Sequence, residues 1–130
     1  MSDNAVVEED KIETPPRRKR RGRPPKVSGA TYKLKTGCGS LYITVNYDKY
    51  GLLEVFARMG KAGGCFSAQS DAITRIISLA LQNDVEPEKI IEKLRHIKCP
   101  SPSTDSGETI QSCADAIARA MEMALERGGE

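Results

Sequence analysis

The four cysteines constrain the fold of this chain most, because each stands where a strand, helix or turn should begin or end. Cys99 and Cys113 border one polar loop, and two prolines just after Cys99 stop the helix that precedes it. Ser112 and Asp115 have the spacing of a capping pair, which predicts that Cys113 lies on the first turn of a helix. The positive end of that helix dipole should favour the thiolate of Cys113, the form that binds metal or attacks as a nucleophile.

The other two cysteines lie upstream in glycine-rich turns, and no pair has the Cys-x-x-Cys spacing typical of zinc sites. Position is more informative than spacing here, since four thiolates that meet at element ends would suit a closed tetrahedral Zn²⁺ site. We therefore predict that the fold brings together Cys38, Cys65, Cys99 and Cys113. Two alternatives stay open on these grounds: redox-active thiols, or isolated buried thiols that act as small hydrophobic side chains.

Alternating apolar and polar residues predict three strands, and their short connections favour an antiparallel meander. Helical spacing of apolar residues then predicts three helices, with Ile76 and Ile97 among the buried positions. The predicted strands are 31–35, 41–46 and 53–59, and the predicted helices are 67–83, one that begins at Pro87, and 113–127. Three strands followed by three helices indicate an α+β fold with the helices packed on one face of the sheet.

The first 29 residues are rich in charge and proline, contain no aromatic residue and have almost no aliphatic run. Such a segment cannot bury enough apolar surface to offset the entropy of ordering, so we predict a disordered tail over residues 1–29 and a domain over residues 30–130. The tail has a net charge of +3 and the domain −1, so the tail is the part expected to contact a polyanion. The domain has no Trp and two Phe, a small core that a structural metal would help to stabilise.

Residues 17–26 form a basic run with an Arg-Gly-Arg-Pro core at 21–24. An extended Arg-Gly-Arg is narrow enough to lie in an A·T-rich minor groove, where the electrostatic potential is most negative, so this segment resembles an AT-hook. The predicted DNA-binding residues are Arg17, Arg18, Lys19, Arg20, Arg21, Gly22, Arg23, Pro24 and Lys26. The alternative is a generic basic tail that binds nucleic acid of any sequence in a salt-dependent way.

The sequence disfavours several classes of protein. No stretch is apolar enough for a transmembrane helix and the N-terminus lacks the apolar segment of a signal peptide, so we expect a cytoplasmic protein whose cysteines do not form disulfides. The glycine-rich stretch 60–64 lacks the Gly-Lys-Ser/Thr ending of a P-loop and is better explained as a turn that orients Cys65. No Ser/His/Asp or paired-carboxylate arrangement is convincing, so no catalytic residue is predicted.

An ordered series of motifs gives residues 31–126 a specific resemblance to a known family. The motifs are Lys-Thr-Gly-Cys-Gly at 35–39, Leu-Tyr-Ile-Thr-Val-Asn at 41–46, Glu-Val-Phe at 54–56, Gly-Lys-Ala-Gly-Gly-Cys at 60–65, Ile-Ile-Ser-Leu-Ala-Leu at 76–81, Cys-Pro-Ser-Pro at 99–102 and Ser-Cys-Ala-Asp-Ala-Ile-Ala at 112–118. They resemble the TSCPD domain, which is commonly the C-terminal part of adenosylcobalamin-dependent (class II) ribonucleotide reductases. Gln111 and Ala114 depart from the Thr and Pro of the naming motif, but alanine is well tolerated in a first helical turn.

The resemblance implies that the four cysteines form one metal site and that the chain is an accessory domain beside a class II ribonucleotide reductase. Adenosylcobalamin would then belong to that separate reductase, because this chain lacks the catalytic barrel that holds the cofactor and the nucleotide. No activity is expected from this chain alone. Two further hypotheses stay open: a small DNA-associated protein that binds through its basic tail, and a thiol module that passes electrons to a reductase.

Overall fold

The computed structural model of the chain describes residues 15–16, 20–60, 64–105 and 107–127, without the side chains of residues 64–66 and 105. Its main sheet has three antiparallel strands in the order β1-β2-β3. The strands are β1 Ser28–Thr36, β2 Gly39–Asp48 and β3 Gly51–Met59, with a short hairpin of β4 Ser103–Asp105 and β5 Glu108–Ile110. The helices are α1 Gly64–Gln82, α2 Pro87–Leu94 and α3 Cys113–Glu126. The predicted α+β fold with a three-stranded antiparallel sheet and three helices is confirmed.

The central strand β2 follows the predicted alternation. Leu41, Ile43 and Val45 are at most 1 % exposed and form the side of the sheet that faces the core. β2 pairs with both neighbouring strands, and the two residues between β1 and β2 are 37 and 38. This tight turn places Cys38 at one end of the sheet.

Helix α3 lies at the buried centre of the fold. Five of its apolar residues have no exposed surface: Ala116, Ile117, Ala118, Ala120 and Met121. The helix packs against α2, β1 and β2, and its small alanine side chains leave room for that close packing. Cys113 is the first residue of α3, so the packing of this helix sets the position of Cys113.

Helix α1 covers the free edge of β3. The Ser78 hydroxyl accepts a hydrogen bond from Val55 N at 2.9 Å and donates one to Val55 O at 3.1 Å, so backbone groups of an edge strand are satisfied. Ile76 is 67 % exposed, and its predicted burial is wrong because Ile77 and Leu81 occupy the face toward the sheet. Although α1 has 19 residues, none of the helices in the described part of the chain is long and apolar enough to cross a membrane.

Helix α2 is shorter than its apolar pattern suggested. It ends at Leu94, and His96 adopts a left-handed backbone conformation with φ of 68°. Ile97 is therefore 45 % exposed, and its predicted burial is wrong. The turn at His96 directs the chain toward the loop that carries Cys99.

The polar loop between Cys99 and Cys113 contains the β4–β5 hairpin, which the sequence did not predict. Each strand has three residues, too few to show an alternating pattern, and Gly107 has a φ of 81° in the turn between them. β4 lies against β1, which brings the loop to the end of the sheet where Cys38 lies.

Part of the N-terminal segment before residue 30 is described by the structure. The structure places residues 20–27 along the domain, with Arg21 N donating to Gln82 O at 2.9 Å, and β1 already begins at Ser28. Three arginines of this stretch bond to side chains far along the chain: Arg20 to Gln82, Arg21 to Asp48 and Arg23 to Glu54. The division into a disordered tail over residues 1–29 and a domain over residues 30–130 stays a prediction. Residues 1–14 and 17–19 lie outside the described residues.

Candidate functional site

The turn between β1 and β2 holds Cys38 in a defined position. Thr36 Oγ1 accepts a hydrogen bond from Cys38 N at 3.2 Å and donates one to Gly39 O at 2.8 Å. Thr36 itself is 6 % exposed, whereas Cys38 is exposed. A buried hydroxyl thus fixes the backbone on both sides of an accessible thiol.

Three cysteines come together at this end of the sheet. The pKa of Cys113 is raised to about 11, first because burial disfavours the thiolate and further because the thiols of Cys38 and Cys99 lie near it. A side-chain hydrogen bond with Thr36 acts in the opposite direction. Burial thus opposes the thiolate of Cys113, which the helix dipole was expected to favour.

The loop that carries Cys99 is tied to the start of α3. Cys99 N donates to Gln111 O at 3.0 Å, and the Cys99 sulfur accepts a hydrogen bond from Ser101 N at 3.4 Å. The loop also lies directly on the β1–β2 turn, because a Cβ placed on Gly37 would come within 1.7 Å of Ser101 O. Only a glycine at position 37 allows this approach between the Cys38 turn and the Cys99 loop.

Asp115 connects the elements that carry Cys99 and Cys113. Its side chain has no exposed surface, and its carboxylate accepts hydrogen bonds from His96 N at 2.8 Å and Gln111 N at 2.9 Å. Its own N–H donates to Ser112 Oγ at 3.1 Å, which confirms the predicted helix cap. The carboxylate therefore fixes the end of α2, the end of β5 and the start of α3 together. The sequence indicated the cap but not these two further contacts.

The charge of Asp115 is balanced by Arg95, whose side chain is 13 % exposed. Arg95 Nε lies 3.4 Å from the Asp115 carboxylate, while its other nitrogens lie 3.6 Å from Glu108 and 3.7 Å from Glu122. One guanidinium thus pairs with carboxylates from β5 and α3 beneath the cysteine loop. A buried network of this kind is stable only while every charge keeps its partner.

The fourth cysteine is described only by its backbone. Cys65 is the second residue of α1, and the preceding strand β3 ends beside the start of β2, where Gly60 N donates to Ser40 O at 2.9 Å. Among the described side chains, which exclude that of Cys65, no group of three His, Cys, Asp or Glu residues is arranged to hold a metal ion. Thiols are nevertheless the donors that Zn²⁺ favours, so the four-cysteine zinc site stays a prediction.

The predicted DNA-binding residues lie away from the cysteines. Arg17, Arg18 and Lys19 are outside the described residues, and Gly22, Pro24 and Lys26 make no hydrogen bond or ion pair with the described part of the chain. Arg20, Arg21 and Arg23 are engaged by side chains of the domain: Arg20 by Gln82, Arg21 by Asp48, and Arg23 by Glu54. The structure therefore separates the basic segment from the cysteine site and holds its arginines against the protein.

A prediction follows from the close approach at Gly37. Gly37→Ala should lower the free energy of unfolding by about 1–3 kcal/mol, because the new methyl group overlaps Ser101 O and must push the Cys99 loop away from the β1–β2 turn. Urea denaturation measures the change. Gly22→Ala is the matched control, since nothing lies within 4 Å of a Cβ placed there. Equal stability of the two variants would contradict the contact.

The fold and the positions of the cysteines define a small α+β domain whose cysteines lie at the ends of strands and helices. Comparison with known proteins identifies the family of this domain. The family model of the TSCPD domain matches residues 13–125. The chain belongs to the TSCPD domain family. The match begins well before residue 31, where the motif resemblance began, and so includes the basic segment.

The curated relatives of the chain are vitamin B12-dependent ribonucleotide reductases. Those of Streptomyces clavuligerus and Streptomyces coelicolor are 34 % and 33 % identical over 118 residues, which cover 86 % of this chain and 12 % of each relative. The reductase of Streptantibioticus cattleyicolor is 33 % identical over 118 residues, or 19 % of its length. The chain thus spans less than a fifth of the relatives it matches. No solved structure gives a significant match.

Proposed function

We propose that this chain is a zinc-stabilised accessory domain that acts with a vitamin B12-dependent (class II) ribonucleotide reductase and supports deoxyribonucleotide synthesis. The observation that carries the proposal is that nearly the whole chain matches a region of such reductases. In this proposal the chain would supply neither the adenosylcobalamin site nor the nucleotide site. Both would be supplied by the partner reductase.

The zinc ligands in this proposal are Cys38, Cys65, Cys99 and Cys113. Zinc bound by four thiolates would cross-link the β1–β2 turn, the start of α1, the Cys99 loop and the start of α3. Binding would release the proton of Cys113, whose pKa of about 11 keeps it a thiol at neutral pH in the metal-free chain. The metal would then contribute directly to the folding free energy of a domain with a small core.

The test of the reductase association uses a purified relative, the reductase of Streptomyces coelicolor, with its chain-matching region removed. We expect the present chain to bind this shortened reductase in a titration calorimetry experiment. It should bind the complete reductase much more weakly, because the enzyme's own homologous region occupies the same place. Failure to bind the shortened, folded reductase would contradict the proposal.

A further prediction concerns catalysis. The isolated chain should reduce no ribonucleotide in the presence of adenosylcobalamin and a dithiol reductant, because it spans about an eighth of the length of two of the matched reductases. Product formation is measured by chromatography of the nucleotides. Turnover by rigorously purified chain would overturn its role as an accessory domain.

A second candidate function is nucleic-acid binding by the basic segment, residues 17–26. It is favoured by the concentration of seven basic side chains in these ten positions. Such binding should weaken steeply with salt, because each phosphate contact releases counterions. If Arg21 and Arg23 read the minor groove, an A·T-rich duplex should be preferred, since the guanine amino group obstructs the groove floor. If the cysteines instead had a redox role, Cys113 would not be the attacking thiol, because burial raises its pKa to about 11 and a protonated thiol is a poor nucleophile.

A further inference from the structure

Arg20, Arg21 and Arg23, three of the residues predicted to bind DNA, lie in a groove of this same chain. The groove is formed by Asp48 at the end of β2, Glu54 in β3, Gln82 at the end of α1 and Asp84 just after it; we call these four residues the acidic groove. The segment Arg20–Arg23, which we call the clamp segment, crosses this groove. Every arginine of the clamp segment contacts one of the four residues.

Arg21 is the most deeply held residue of the clamp segment, with a side chain only 15 % exposed. Its guanidinium donates to the Asp48 carboxylate at 2.8 Å, to Leu52 O at 2.7 Å and to Leu81 O at 3.2 Å. Asp84 lies 3.6 Å from its Nε. A guanidinium has five N–H donors, and most of those of Arg21 are committed to the domain.

Arg23 provides the partner for an unusually buried carboxylate. Glu54 is 3 % exposed, and Arg23 Nε lies 3.0 and 3.1 Å from its two oxygens. Asn46 Nδ2 donates to the same carboxylate at 2.7 Å. A buried charge without a counterion is strongly unfavourable, so the position of Glu54 requires a cation such as Arg23.

We propose that the acidic groove is a binding site for an arginine-rich segment, that it holds the clamp segment of this chain, and that it competes with nucleic acid for Arg21 and Arg23. A guanidinium held by Asp48 and two carbonyl oxygens cannot lie on the floor of a minor groove at the same time. Nucleic acid therefore gains these arginines only from the fraction of molecules in which the clamp segment has left the groove. The competition with nucleic acid rests on the second candidate function. The binding of the clamp segment in the acidic groove does not.

The competition has a quantitative consequence. The apparent dissociation constant for DNA equals the intrinsic constant divided by the fraction of molecules in which the segment is free. Cleavage by trypsin after Arg21 also requires that side chain to leave the groove, so its rate follows the same fraction when docking is fast. Weakening the groove should thus raise the cleavage rate and the DNA affinity by similar factors.

Asp48→Asn is the variant that tests this. It removes the charge that pairs with Arg21 but keeps an oxygen that can accept the hydrogen bond from Tyr50 N, which Asp48 receives at 2.8 Å. Glu92→Gln is the matched control, since it changes the net charge equally at an exposed position of α2. Asp84→Asn is a second variant that keeps the fold, because asparagine accepts the positive φ of 65° at that position.

The experiment follows release of the fragment that begins at Gly22 by mass spectrometry, and measures binding of short A·T-rich and G·C-rich duplexes at two salt concentrations. We expect Asp48→Asn to accelerate cleavage after Arg21 on the order of tenfold and to strengthen DNA binding similarly. Asp84→Asn should also raise the cleavage rate and the DNA affinity, whereas Glu92→Gln should change neither. Cleavage of both groove variants at the control rate would overturn the groove as a binding site. Accelerated cleavage with unchanged DNA affinity would overturn the competition, while the groove and nucleic-acid binding by the other basic residues would stand.

Discussion

Replacing Asp115 with alanine is expected to lower the free energy of unfolding by about 3–5 kcal/mol. The substitution removes a fully buried carboxylate and leaves His96 N and Gln111 N without acceptors. It also leaves Arg95, which is 13 % exposed, without its most buried counterion. Denaturation in urea, followed by circular dichroism, measures the change.

Asp71→Asn is the control for Asp115→Ala. Asp71 pairs with Arg75 one turn along α1, but the two side chains are 58 % and 79 % exposed. Loss of such a surface pair should change the unfolding free energy by about 0.5 kcal/mol or less. If both substitutions have the same small effect, the Asp115 carboxylate does not hold the cysteine loop as described.

Replacing any one of the four cysteines with serine is expected to remove most of the bound zinc and to destabilise the domain by on the order of 5 kcal/mol, since structural zinc contributes about 10 kcal/mol or more in small domains. Cys38 gives the sharpest test because it is exposed. An isolated exposed thiol can be replaced at a cost of about 0.5 kcal/mol or less. Only a shared metal site predicts that Cys38→Ser is as damaging as Cys113→Ser.

Thermal unfolding with and without a zinc chelator separates the two explanations of a cysteine effect. With chelator present, Cys38→Ser and the natural sequence should unfold at nearly the same temperature, because the metal is then absent from both. A difference that persists in chelator would mean that Cys38 stabilises the domain by packing alone. No difference under either condition would leave Cys38 outside any metal site.

Local patterns in the sequence were sufficient to predict the sheet, the buried helix and the cap of α3. The alternation in β2 and the apolar spacing in α3 identify the core, since both elements bury one regular face. The Ser112 cap depends on residues three apart and could be predicted for the same reason. The β4–β5 hairpin escaped prediction because each strand has only three residues and Ile110 is the one apolar residue among the six, so there is no alternating apolar signal.

Contacts between distant residues were the part that the sequence could not reveal. Arg21 and Arg23 have the composition of a disordered tail, yet they pair with Asp48 and Glu54, which lie 27 and 31 residues further along the chain. The same holds for the carboxylate of Asp115, which accepts from His96 N across 19 residues. No local pattern encodes such pairs, because their favourable energy exists only once the tertiary fold has formed.

The zinc content of the purified full chain tests the central claim most directly. Native mass spectrometry, supported by elemental analysis, should find one Zn²⁺ bound per chain, and removal of the metal should reversibly lower the temperature at which the domain unfolds. The claim would be contradicted by a chain that is purified without metal and is equally stable with and without added Zn²⁺, with its four cysteines present as free thiols or as disulfides.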